Sequence, residues 1–155
     1  MMTFKKFALM CCVTALAPIG LSGCATVEEA VAEAVAETRY ATLDATQVVS
    51  SRGDSDGYAK AELTVADELN QVCYDVNEIR NLGPITSITI NRGARGMTGP
   101  VVLRLKEANE GGWKNCIARA EWREDSFENS PGAYFIQIAT TDFPNGAIRG
   151  QFMRN

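Results

Sequence analysis

Tyr134-Phe135-Ile136-Gln137-Ile138-Ala139-Thr140, followed by Pro144-Asn145-Gly146-Ala147-Ile148-Arg149-Gly150-Gln151-Phe152, is the stretch that decides the fold. Apolar side chains recur at every second position, and the Pro-Asn-Gly break is a strong turn signal. The stretch reads as two strands joined by an Asn-Gly turn. Working backwards, Ala59, Ala61, Leu63 and Val65 alternate with Lys60, Glu62 and Thr64, and Val72, Tyr74 and Val76 alternate with Cys73, Asp75 and Asn77. Ile88 and Ile90 share one face of a further strand. Val101-Val102-Leu103-Arg104-Leu105 gives another after Gly99-Pro100, and residues 115–122 a weaker one. The polar run 124–130 reads as at most one helical turn. Turn-forming clusters separate these runs at 53–57, 93–99, 109–112 and 145–146. About eight strands at this spacing, with no helices between them, predict an all-β chain folded as an antiparallel Greek-key β-sandwich.

The N-terminal region has a different texture. Lys5 and Lys6 precede the apolar run from Phe7 to Ala17, the plan of a signal peptide and too short for a stable membrane span. Leu21-Ser22-Gly23-Cys24 resembles the bacterial lipobox, in which the cysteine thiolate takes a lipid as a thioether. Residues 1–23 are therefore expected to be a leader and Cys24 a lipidation site, with the membrane as the first partner. Ala25 stands where Asp would direct inner-membrane retention in Gram-negative lipoproteins, and this resemblance implies an outer-membrane address facing the periplasm. Residues 24–39 are rich in Ala and Glu, both strong helix formers, with Val27, Val31 and Val35 as a thin stripe. That stripe is too narrow to bury much surface, so a short helical tether is expected ahead of a domain at 40–155.

Composition limits the chemistry. The chain has 15 Lys and Arg against 19 Asp and Glu, and no histidine. An acidic chain disfavours nucleic acid as a partner. Without histidine there is no Ser-His-Asp triad, and the commonest metal ligand and acid–base group is missing. Cys11 and Cys12 leave with the leader, and Cys73 and Cys116 remain. Cys73 falls on the polar side of its strand, and an even pair in an oxidising compartment predicts a disulfide; two separate thiols are the competing reading. Trp113 and Trp122 flank Cys116 and are expected to cover the disulfide or the end of the sandwich. Asp54, Asp56 and Gly57 read as a turn, because Val65 stands where a calcium loop needs glutamate.

A family resemblance joins the blocks. Leu82-Gly83-Pro84, then Thr89-Ile90-Asn91, Gly93-Ala94-Arg95-Gly96-Met97-Thr98-Gly99-Pro100-Val101-Val102 and the stretch 134–152 together resemble the CHRD (chordin-type) domain. That pattern runs Leu-x-Gly, His-Ile-His-x-Gly-x-x-Gly-x-x-Gly-Pro-Val-Val, Tyr-x-x-x-His-Thr and Pro-x-Gly-x-Ile-Arg-Gly-Gln. The resemblance implies an immunoglobulin-like or superoxide-dismutase-like sandwich without established catalysis. The departures fall on the histidines, replaced here by Thr89, Asn91 and Ala139, so no zinc or copper site carries over. No cofactor is expected. Gly93, Gly96 and Gly99 are expected to supply positive φ in a tight loop. Arg149 reads as a hydrogen-bonded or ion-paired sheet arginine, with a ligand-facing cation as the competing reading. Arg95, Trp113, Phe143 and Arg149 are the candidate contact residues for another envelope protein. The competing functions are a metal-handling or carboxylate-based periplasmic enzyme and a small-ligand carrier, the latter requiring an apolar cavity.

Overall fold

The computed structural model describes residues 36–49, 51–122 and 124–154. The leader, Cys24 and the Ala/Glu segment up to residue 35 lie outside the described residues. Eight strands follow in order: β1 (Glu37–Asp44), β2 (Tyr58–Ala66), β3 (Gln71–Arg80), β4 (Ile85–Arg92), β5 (Val101–Arg104), β6 (Trp113–Ala118), β7 (Tyr134–Thr140) and β8 (Ile148–Gln151). β1 begins at Glu37, so the last residues of the expected tether already belong to the sheet. The polar run near 124–130 makes turns, with Phe127 N donating to Glu124 O at 3.0 Å and Ser130 N to Ser126 O at 2.8 Å.

All pairings are antiparallel, and the strands form one curled sheet in the order β5-β4-β7-β8-β1-β2-β3-β6. The ladder narrows at β8–β1, where Asp44 pairs with Arg149 and an isolated bridge joins Tyr40 to Met153. On either side of this seam lie four strands, β5-β4-β7-β8 and β1-β2-β3-β6. Their apolar faces share one core, giving the expected sandwich, with the chain crossing between halves at β3–β4, β5–β6 and β6–β7. Tyr74 ties the open side: its hydroxyl donates to Lys106 O at 2.9 Å and accepts from Lys106 N at 3.0 Å.

The core follows from period-two alternation. Leu43, Leu63, Val72, Ile88, Ile90, Ile136, Ile138 and Ile148 have no exposure or almost none. Each contributes roughly 1.5–3 kcal/mol of transfer free energy. One end is filled by aromatic rings, with Phe127 edge-on to Trp122, Tyr134 and Phe152 at centroid distances of 5.3, 5.4 and 5.2 Å. Trp122 was expected to cover the disulfide or close the sandwich end. It leaves β6 through the 3₁₀ turn Arg119–Glu121 and fills that end from within the core, away from the disulfide. Trp113 is half-buried against the same core from β6.

Candidate functional site

The turn between β7 and β8 differs from the hairpin read in the sequence. Gly146 N donates to Phe143 O at 3.0 Å, so Pro144 and Asn145 occupy the centre and Gly146 closes the turn. The resulting register sets the outer face. Gln137 lies opposite both Thr89 and Arg149, and Phe135 opposite both Asn91 and Gln151. Ala139 pairs with Ser87. The three positions where the resembled pattern has histidine, Thr89, Asn91 and Ala139, therefore share one face of β4 and β7. An outer face is usually wet; here Thr89, Asn91, Phe135, Ala139, Arg149 and Gln151 are all buried.

The cover is the loop from Gly93 to Pro100, and Arg149 fastens it. Its guanidinium donates through Nη1 to Met97 O at 2.7 Å, and through Nη2 to Ala94 O at 3.1 Å and Gln151 Oε1 at 3.3 Å. It stacks 3.5 Å above the centre of the Phe135 ring. Gln151 Nε2 lies 2.7 Å from Gly93 O and 2.8 Å from both Gly132 O and Tyr134 O. The hydrogen-bonded reading of Arg149 holds, and the exposed contact residue does not: it is 1% exposed. Among the described residues no carboxylate reaches ion-pair distance of it. Burial lowers the guanidinium pKa from its ordinary value.

The loop glycines act differently from expectation. Of Gly93, Gly96 and Gly99, Gly96 alone has positive φ, at 77°. Gly99 is required by space, since a Cβ there would stand 1.6 Å from Arg92 O. Gly150 meets the same demand on β8, where a Cβ would stand 2.6 Å from Thr42 O. The Ile-Arg-Gly-Gln block is thus a fastening device: one residue for the core, one for the loop, one for close approach to β1 and one for three carbonyls.

Between the loop and the strands lies a pocket of about 290 Å³, lined by Val49, Asn91, Thr98, Phe135, Gln137 and Arg149 among others. Asn91 Nδ2 donates to Gly99 O at 3.3 Å, whereas its Oδ1 is buried without a partner among the described residues. Arg149, Gln137 and Asn91 thus stand in the pocket wall, with the orphan Asn91 oxygen buried beside it. No group of three or more His, Cys, Asp or Glu among the described residues is placed to hold a metal ion.

A second polar cluster was not anticipated. Buried Glu124 pairs with Arg92 and accepts from the Tyr134 hydroxyl at 2.7 Å, and Ser126 Oγ bonds the same hydroxyl. Burial, reinforced by Glu124, raises the Tyr134 pKa. The bonds from Arg92 and Tyr134 all fall on Glu124 Oε2, and nothing in the flanking sequence signals burial.

The remaining candidates are dispersed. Arg95 is exposed on the loop that Arg149 fastens, and Phe143 is half-buried in the turn beside Asn145, another residue of the pocket wall. Trp113 stands on β6, at the sheet edge opposite β5. Cys73 and Cys116 are cross-strand neighbours on β3 and β6 and form the disulfide. Cys24 lies outside the described residues. A family model, the CHRD domain, matches residues 39–152. No curated protein and no solved structure matches the chain.

Proposed function

The chain belongs to the CHRD domain family, and from that premise we propose that it is a lipid-anchored protein of the bacterial cell envelope whose domain works by binding or structural contact. The anchor reading rests on Lys5, Lys6, the apolar run and Leu21-Ser22-Gly23-Cys24. By the lipobox resemblance, the domain is held at the outer membrane and faces the periplasm. The observation that carries the non-catalytic reading is the face built from Thr89, Asn91 and Ala139. It keeps the family's scaffold and offers no imidazole for metal or proton chemistry. The core is filled by Leu63, Ile88 and Ile136 and, at one end, by the aromatic rings, which argues against an apolar carrier cavity. The exposed loop around Arg95 and the turn at Phe143 are the surfaces offered to an envelope partner.

The experiment is membrane fractionation of wild type and Cys24→Ala, followed by crosslinking in intact envelopes. Wild type is expected with the membranes and Cys24→Ala in the soluble fraction. Unchanged fractionation would remove the anchor. Stoichiometric zinc or copper in the purified protein would overturn the non-catalytic reading.

A further inference from the structure

We propose that the pocket beneath the glycine loop binds a small hydroxy-carboxylate, a ligand carrying one carboxylate with a hydroxyl close beside it. This goes beyond the anchored-contact reading and does not rest on it.

Arg149 is a buried cation whose protein partners are two backbone carbonyls, one amide oxygen and an aromatic face. A guanidinium has five N–H donors, so three bonds leave donors unmatched among the described residues. The carboxylate nearest in register, Asp44, does not serve, since Thr46 and Gln47 hold it. A buried charge without a counter-charge is costly. An anion entering the pocket that Arg149 lines recovers part of that cost.

The second observation is the orphan acceptor. The bond from Asn91 Nδ2 to Gly99 O fixes the amide so that Oδ1 is the unpartnered atom. A carboxylate cannot satisfy an acceptor; a hydroxyl can. One ligand that answers both groups carries an anion and a donor. The Thr98 hydroxyl and the Gln137 amide complete a mainly polar wall. About 290 Å³ is at the small end of ligand pockets, which suits a monomeric acid. A metal ion is disfavoured because the guanidinium would repel it. Phosphate is disfavoured because a single cation, with neither lysine nor helix N-terminus beside it, poorly matches a dianion.

The test is calorimetric titration of the full-length protein in detergent at constant ionic strength with lactate, glucuronate, propionate and inorganic phosphate. Lactate or glucuronate is expected to saturate, with propionate weaker by about tenfold for want of the hydroxyl. The tighter of the two identifies the source as a free hydroxy acid or a sugar acid. Asn91→Ala is expected to bring the hydroxy acids down to the propionate level. Asn91→Asp places a carboxylate in the same pocket, and is expected to abolish carboxylate binding. The proposal is overturned if neither hydroxy acid saturates, if propionate or phosphate matches them, or if Asn91→Asp binds like wild type.

Discussion

The two halves of the sandwich obey the same alternation and end in different states. In β2 and β3 alternate residues turn outward: Lys60, Glu62, Cys73 and Asp75 stand between buried neighbours, and Lys60 pairs with Glu78 at 2.7 Å. In β7 and β8 the outward residues are buried too, except that Gln137 is half-covered. The difference lies in what crosses the outer face. Over β4, β7 and β8 runs a loop fastened by Arg149 and Gln151; over β3 and β6 there is a disulfide and open water. The first half gains order from carbonyl-to-side-chain bonds, and the second from a covalent link between an inner strand and an edge strand. A sheet can thus be stiffened on its outer side without a second apolar layer where its buried polar groups, Asn91 Oδ1 apart, find partners.

Replacing the tightest point of the cover tests this contrast most severely. Gly99→Ala is expected to cost about 5 kcal/mol or to prevent folding, because its Cβ collides with Arg92 O. A denaturant midpoint near wild type would mean that the loop is not locked. Arg149→Met should cost about 4 kcal/mol, since the carbonyls of Ala94 and Met97 lose a charged donor inside the protein. Loss of protection from hydrogen exchange at β7 and β8, with β2 and β3 unaffected, would sharpen the comparison. Removing the disulfide with Cys73→Ser and Cys116→Ser should cost about 3 kcal/mol by freeing a loop of separation 43 in the unfolded chain. Its effect should appear in β6 and spare the glycine loop. Glu78→Gln, on the open face, is expected to leave the thermal midpoint unchanged, because exposed ion pairs contribute little. A clear drop there would break the distinction between the halves.

What could be read in the sequence follows the same line. Alternation exposes one face, so Ala59 to Val65 and Val72 to Val76 declared their buried sides, and Cys73 declared itself outward and available for pairing with Cys116. The family resemblance supplied the fold through the glycine and Ile-Arg-Gly-Gln blocks. The cover was not legible, because nothing in Arg149 or Gln151 taken singly says that its partners are carbonyls of a loop about fifty residues earlier in the chain. Gly93 and Gly99 looked like conformational residues, whereas a close approach of two backbone segments is a property of the fold. Trp122 was placed beside Cys116 by sequence distance, and a single 3₁₀ turn carried it into the core. The pocket escaped for a related reason: Asn91 reads as the loss of a histidine, and its unmatched oxygen exists only once Gly99 holds the amide.

β1 enters the sheet as an inner strand, with β8 on one side and every residue from Glu37 to Asp44 paired to β2 on the other. A pull applied at Glu37 along the strand axis meets a strand paired along its whole length to β2 and joined to β8 at its far end. The β1–β2 ladder meets such a pull in shear, with its hydrogen bonds sharing the load side by side. A domain threaded in this way is suited to hanging from its own N-terminus.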